Sequence, residues 1–201
     1  RELSAALELA PQHMSLYQLT IEPDTLFYKH QAAGKLTLPD EDAAADMYEI
    51  TQSLCTRAGL PAYEVSNHAA QGHACRHNVA SWQGGDYLGI GPGAHGRVSS
   101  LEKAARLSSV AHRSPTQWLA QVEKDGHGWA EEQVLDGESV EMEAVLLGLR
   151  LVEGIGLEAL ADRGVHLEPA RVTSLREAGL LSSDTTRLQA SPAGRLILDH
   201  L

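Results

Sequence analysis

The sequence contains few cysteines and few basic residues, and both shortages limit what the protein can be. Its two cysteines, Cys55 and Cys75, are too few for a disulfide framework and too far apart in sequence to form a short metal-binding motif. Only 16 Lys and Arg stand against 27 Asp and Glu, a formal charge of -11. That balance excludes nucleic acid and an anionic membrane surface as favoured partners.

Long apolar runs are also missing. No stretch approaches the roughly 20 residues needed to span a bilayer, so we expect no transmembrane segment. The first residues, RELSAALELA, form an acidic helical pattern and not a signal peptide. The chain has no initiator methionine and looks like the inside of a longer protein, which we expect to be cytoplasmic.

What the chain does have is alternating strand and helix patterns. Strands are predicted at Met14 to Ile21, Ala62 to Val65 and Tyr87 to Ile90, and a helix from Pro39 to about Ala58, with acids in its first turn and Gly59 beyond its end. This order predicts an α/β fold with βα units of a parallel sheet. Ligands in such folds bind at the carboxyl ends of the strands, where polar or glycine-rich loops follow here.

The pattern changes after Arg113, which predicts a boundary between a domain of residues 1–113 and one of residues 114–201. The second part has three predicted helices, a short strand pair and a closing helix over 192–201, a winged-helix-like layout. Residues 131–201 hold 6 Lys and Arg against 13 Asp and Glu. This acidic balance favours a structural or protein-contacting module over a DNA-binding one.

The segment from Cys75 to Gly96, CRHNVASWQGGDYLGIGPGAHG, is dense in glycine. Such a segment is typical of backbone that meets a ligand or bends sharply, so it is a candidate cofactor loop. A tight strand-to-loop connection in a close-packed core is the alternative. Pro92 and the loop-like Arg97 to Ser100 exclude a dinucleotide fingerprint, because no helix opens after Gly96.

Several blocks together resemble one known family. They are HMSLYQLTIEPDTLFY, LPDEDAAADMYEITQ, GLPAYEVSNHA, RHNVASWQGGDYLGIGPGAHG and ASPAGRLILDHL. In order and without gaps, they are similar to the C-terminal half of radical S-adenosylmethionine proteins of the HemW type. These are haem chaperones related to oxygen-independent coproporphyrinogen III oxidase.

The resemblance implies the C-terminal portion of a partial (β/α)6 barrel followed by a small winged-helix-like α+β domain. It also implies three bound groups in the intact protein: a 4Fe-4S cluster, S-adenosyl-L-methionine and haem. The cluster needs three cysteines spaced by three and two residues, which Cys55 and Cys75 cannot supply. We therefore assign no catalytic residue and expect this chain alone to be inactive.

The resemblance also implies cofactor-binding residues. Thr20 and Glu22 match positions beside the adenosine in the related oxidase. The glycine-rich loop matches others through Gly91, Gly93, Ala94 and His95.

The family's haem motif, His-Asn-x-x-Tyr-Trp, corresponds to residues 77–82, with Ser81 in place of the tyrosine. The resemblance makes His77 the ligand of the haem iron, with Asn78 beside the imidazole or a propionate and Trp82 stacked on the macrocycle. A capping or core histidine is the alternative for His77. Second-rank candidates, besides His95, are Tyr63, Glu64, Asn67 and His68.

The favoured function is therefore that of a haem chaperone, whose partners are haem or porphyrin and a haem-acceptor protein. One alternative is a coproporphyrinogen dehydrogenase, and another is a non-catalytic winged-helix interaction module. An incomplete barrel exposes a sheet edge, so we also predict a homodimer formed through Met14 to Ile21.

Overall fold

The computed structural model describes residues 1–23, 25–102 and 105–198. The chain divides into two compact units, Arg1–Cys75 and Arg76–Leu201, and each is described by itself. The domain boundary after Arg113 comes from sequence pattern and stays a prediction. No helix in the described ranges combines the length and apolarity needed to cross a membrane.

The first unit is three helices and one short strand pair: α1 (Glu2–Glu8), β1 (His13–Ser15), α2 (Leu26–Ala32), α3 (Glu41–Arg57) and β2 (Asn67–Ala69). Strands β1 and β2 are antiparallel, with His13 opposite Ala69. The long helix matches its prediction: the Asp40 side chain accepts a hydrogen bond from the Ala43 amide at 2.8 Å, and Gly59 follows with φ +78°.

The second unit holds the other eleven elements of the described chain. They are α4 (Arg76–Trp82), β3 (His95–Ser100), β4 (Ala105–Ala111), α5 (Pro115–Asp125), β5 (Trp129–Val134), α6 (Gly137–Arg150), β6 (Ile155–Gly156), α7 (Leu157–Ala161), α8 (Pro169–Glu177), β7 (Arg187–Leu188) and α9 (Pro192–Leu196). An antiparallel sheet runs in the order β3-β4-β5, and β6 pairs with β7.

The predicted strand positions need correction. In the first predicted strand, Met14 to Ile21, only the first two residues lie in a strand. The second, Ala62 to Val65, contributes an isolated bridge from Ala62 to His68. The third, Tyr87 to Ile90, contributes one bridge, from Tyr87 to Arg97. The strand pairs among the described residues are antiparallel, not parallel. The apolar runs identified extended chain but not its partners.

Residues 97–100, predicted as loop, instead form most of β3. Their polar side chains are satisfied within the sheet region: Arg97 donates to Ser108 Oγ at 2.8 Å, and Ser99 donates to Asp86 at 2.8 Å. A strand with this many polar residues has no apolar alternation to reveal it.

The C-terminal helices lie where they were predicted. Ala144, Gly148 and Leu151 are buried on the α6 side, and Leu147 is half-buried. In the region of the predicted strand pair, Leu181 forms an antiparallel bridge with Ala190, and β7 also pairs with β6. The predicted helix end over residues 199–201 lies outside the described residues. The buried apolar core here comprises Leu149, Leu151, Ile155, Leu160, Val165, Leu181, Leu188 and Ala190.

Candidate functional site

Helix α4 contains the predicted haem motif and ends in a well-formed C-terminal turn. Gly84 has φ +71°, its amide donates to Ser81 O at 2.9 Å, and the Gly85 amide donates to Ala80 O at 2.8 Å. This is the Schellman arrangement, which needs a residue that tolerates the left-handed conformation. The Gly-Gly pair after Trp82 is therefore explained by helix termination.

His77 lies exposed in the first turn of α4. Its ring meets the Tyr87 ring edge-on, with centroids 6.3 Å apart and planes at 84°. Asn78 is half-buried on the same helix. An exposed imidazole is free to bind an iron atom, and its exposure excludes the core histidine that was one alternative.

Trp82 lies half-buried at the other end of α4. The Arg150 guanidinium carbon, from the end of α6, is 5.3 Å from its ring centroid. The indole Nε1 is buried and has no hydrogen-bond partner among the described residues. Burying an indole N–H without a hydrogen-bond acceptor costs free energy. The position of this atom is therefore consistent with a binding site in which a ligand supplies the acceptor.

The glycine-rich loop has two different reasons for its glycines. At Gly89 a Cβ atom would lie 2.5 Å from His95 O, and at Gly96 it would lie 2.6 Å from Ser109 Oγ, so both allow close packing. Gly91 and Gly93 instead have φ of +107° and +71°. The alternative of a tight connection therefore accounts for part of the glycine content.

Some backbone amides of this loop already donate hydrogen bonds to carbonyl groups of the protein. The Gly93 amide donates to His112 O at 2.9 Å, and the Ala94 amide donates to Gly91 O at 3.3 Å. His95 is exposed at the start of β3, opposite Val110. Of the predicted cofactor residues here, His95 is the one with an exposed polar side chain.

An ion-pair network joins the sheet to α6 near these elements. Glu143 pairs with Arg97 at 2.8 Å and with Arg106 at 3.4 Å, and Arg106 also reaches Asp86 at 3.4 Å. The side chains of the Arg97–Glu143 pair are only 20% and 21% exposed. These contacts hold α6, and hence Arg150, against the sheet that follows the loop.

The other predicted site residues lie in the first unit. Thr20 and Glu22 are exposed, and the Glu22 carbonyl accepts a hydrogen bond from Thr25 Oγ1 at 2.7 Å, just before α2. The loop from Gly91 to His95 lies in the second unit, and the two units are described separately. That this loop, Thr20 and Glu22 bind one adenosine together therefore stays a prediction.

Four of the second-rank candidates lie in the first unit, where Glu64, Asn67 and His68 are buried and Tyr63 is half-buried. Tyr63 OH lies 3.0 Å from His13 Nε2, Asn67 contacts Ser15 Oγ, and Glu64 Oε1 accepts from the Ser66 amide at 3.1 Å. Glu64 Oε2 is buried, and no described residue bonds to it. These contacts give Tyr63 and Asn67 structural roles at the strand pair.

His68 is 1% exposed and its Nδ1 lies 3.3 Å from Leu60 O. Burial lowers the pKa of His68 below its ordinary value of 6.5, an effect that the Leu60 hydrogen bond and the Glu64 charge oppose in part. Burial therefore favours the neutral form of this ring.

The cysteines are free thiols, with Cys55 buried and Cys75 half-buried. Burial raises the pKa of the Cys55 thiol, which makes it a poor nucleophile. Across the described residues, no three His, Cys, Asp or Glu side chains come together as a metal site.

The sequence did not identify Tyr87, Arg150 or Arg163 as neighbours of α4. Each lies beyond the motif along the chain; Arg150 is the last residue of α6, and Arg163 lies in the turn that follows α7. No local pattern marks such contacts, because they depend on how α6 and α7 pack.

The C-terminal part of the chain matches a known domain family: residues 141–197 match the HemN C-terminal domain. The structure is similar over 98% of the chain to coproporphyrinogen III oxidase (HemN) from Escherichia coli, described as a radical SAM enzyme, with a TM-score of 0.68 and 18% identity. The match covers 48% of that enzyme. The class is therefore the mixed α/β fold of radical SAM proteins with a HemN C-terminal domain, which confirms the predicted fold class.

Curated relatives narrow the class. The chain is 34% identical over its whole length to the mitochondrial radical S-adenosyl methionine domain-containing protein 1 of Bos taurus, covering 48% of it. It is 30% identical, over 97% of its length, to heme chaperone HemW of Bacillus subtilis, covering 51% of it. The chain thus spans about half the length of these relatives. These matches support the identification of the chain as a C-terminal fragment of the HemW type of radical SAM proteins.

Proposed function

We propose that the full-length protein binds haem on α4 and passes it to acceptor proteins. The observation that supports this most strongly is the exposed His77 imidazole on a helix whose Trp82 Nε1 is buried without a partner. The name of the Bacillus subtilis relative, a heme chaperone, supports the same activity. Haem is here the cargo, and His77 is the proposed ligand of its iron.

The cluster and S-adenosyl-L-methionine belong to the proposal for the full-length protein. Neither Cys55 nor Cys75 fits the cluster motif, so its ligands must lie outside this sequence. The proposed adenosine contacts are Thr20, Glu22 and the loop from Gly91 to His95. Because the Gly93 and Ala94 amides already have carbonyl partners, His95 is the side chain of that loop best placed to bind a polar group.

The test is a haem titration of the full-length protein, followed by the Soret band. His77→Ala is compared with wild type and with His127→Ala, which removes an exposed histidine of the same unit that stacks on Trp129. We expect His77→Ala to bind haem at least about tenfold more weakly and His127→Ala to bind as wild type does.

Equal haem affinity in all three proteins would contradict the role of His77. A wild type that binds no haem would contradict the chaperone proposal as a whole. In that case, formation of 5′-deoxyadenosine in the presence of coproporphyrinogen would support the dehydrogenase, and its absence would support the interaction module.

The cellular location stays a prediction. We propose the cytoplasm, while relatives such as the Bos taurus protein are described as mitochondrial. The predicted homodimer through residues 14–21 also stays a prediction. Light scattering of this chain alone tests it, since a monodisperse monomer at high concentration would contradict it.

A further inference from the structure

A cavity of about 290 Å³ lies in the second unit beside the end of α4. Its walls come from the α4 terminus, strands β3 and β4, helix α6 and the end of α7. The lining residues are Gly84, Ser99, Arg106, Val140, Glu143, Ala144, Leu147 and Arg163. This cavity is separate from the exposed His77 ring but adjoins the same helix.

The two arginines of this cavity are in different states. Arg106 forms ion pairs with Glu143 and Asp86, and it also donates a hydrogen bond to Gly85 O at 3.3 Å. The side chain of Arg163 has no hydrogen-bond or ion-pair partner among the described residues. Together with Glu143, these groups give the lining one net positive charge in a chain of formal charge -11. Because Arg163 is exposed and its side chain has no such partner, its guanidinium is available to an anionic ligand bound in the cavity.

The guanidinium of Arg163 lies close to the backbone of Gly84, two residues after the end of α4. A Cβ atom built on Gly84 would lie only 2.6 Å from Arg163 Nη1. The C-terminal end of a helix also attracts a cation, so a capping role is the structural alternative. No carbonyl of α4 within the described chain accepts a hydrogen bond from Arg163, so the geometry does not show such a cap.

The ligand class follows from the shape and chemistry of these groups. An arginine fork presents paired N–H donors that match a carboxylate. Val140, Ala144 and Leu147 line the same cavity and offer apolar contacts to the rest of the ligand. The cavity therefore suits a carboxylate on a larger, partly apolar molecule.

Arg163 and His77 lie toward opposite ends of α4. Gly84 follows His77 by seven residues, about two helical turns or roughly 10 Å of rise. Haem has its iron at the centre and its two propionates at one edge. A molecule bound through iron at His77 can thus present a carboxylate toward the end of the helix.

We propose that Arg163 binds a propionate carboxylate of haem held on α4, so that the HemN C-terminal domain contributes directly to the haem site. The inference rests on the proposed haem-binding function. It assigns Arg163 to recognition of the porphyrin edge, whereas His77 recognises the iron.

The test compares haem with haem dimethyl ester, in which both propionates are neutral. Wild type, Arg163→Gln, Arg163→Lys and Arg113→Gln are titrated as full-length proteins, and Arg113 serves as an exposed arginine of the same unit outside the cavity. We expect Arg163→Gln to weaken haem binding about tenfold and to leave binding of the ester unchanged. Arg163→Lys should recover part of the loss, and Arg113→Gln should match wild type.

Two results would overturn the inference alone: wild type binding haem and its ester equally, or Arg163→Gln weakening both ligands by the same factor. The second would mean a structural role for Arg163. Thermal unfolding of each variant without ligand shows whether folding is intact. A wild type that binds neither ligand would overturn the proposed function, and this inference with it.

Discussion

The guanidinium carbon of Arg150 lies 5.3 Å from the centroid of the Trp82 ring. This contact joins the end of α6 to the end of α4, and so connects the HemN C-terminal domain to the proposed haem motif. A cation over an indole face is attracted by the ring's quadrupole, and the arginine stem also covers apolar surface.

Removing this cation should destabilise the second unit. We expect Arg150→Ala to lower the free energy of unfolding by about 0.5–2 kcal/mol, and Arg150→Lys to lose less, since a lysine keeps the charge but not the planar stacking. Urea unfolding of the variants measures the change, with Arg113→Ala as the control. Equal stabilities of Arg150→Ala and Arg113→Ala would show that the contact contributes nothing.

Breaking the charge network at its shared carboxylate should have a larger effect. Glu143 bonds to both Arg97 and Arg106, so Glu143→Gln leaves Arg97 without a carboxylate and Arg106 with Asp86 alone. We expect a loss of about 1–2 kcal/mol, below the value for a fully buried pair because solvent reaches these groups. Chemical unfolding is compared with Glu123→Gln, an exposed site on α5; an identical midpoint would contradict the prediction.

The stability of the first unit should fall in mild acid because of His68. Its pKa is lower in the folded protein than the ordinary 6.5, so the unfolded chain takes up the proton first. The stabilisation is present above about pH 6.5 and is lost as pH falls toward the lower folded pKa. Unfolding followed from pH 8 to pH 5 should show a smaller pH dependence in His68→Gln than in wild type.

His73→Gln, at an exposed position, serves as the control for this pH series. It should retain the wild-type pH dependence. The prediction fails when both variants have the same slope, since the titration would then belong to other groups.

The two cysteines should react with thiol reagents at different rates. Cys75 is half-buried, whereas Cys55 is 0% exposed and burial raises its pKa. We expect native protein to label at Cys75 and to label at Cys55 only on unfolding. Haem on α4 should also slow Cys75 labelling, since that residue precedes Arg76 and His77. Peptide mapping after a short alkylation pulse decides the order.

The helices were predictable where the signals are local. Helix α3 begins after Asp40 and ends before Gly59, and helix α5 begins after Ser114 and ends before Gly126. Capping alone explains these four positions. The sheet was not predictable in the same way. Strands β3 and β4 contain several serines and arginines whose partners, such as Glu143 and Asp86, lie outside their own strands.

In the candidate site too, residues with a local sequence signal were predictable, and residues that depend on tertiary packing were not. His77 and Trp82 were identified through the family motif and lie on one helix. Arg150 and Arg163 were missed, because their proximity to α4 depends on the packing of α6 and α7. Gly89 and Gly96 were assigned to a cofactor loop, yet their backbone packs too closely to allow a side chain.

The central claim is that His77 holds the haem iron, and identifying the axial ligand tests it most directly. Ferric haem complexes of the full-length protein are prepared with nitrogen-15 histidine and studied by electron paramagnetic resonance with hyperfine detection. The account predicts a histidine nitrogen signal in wild type and His127→Ala, its loss in His77→Ala, and its return when free imidazole is added to that variant. The same histidine signal in His77→Ala without imidazole would contradict the account.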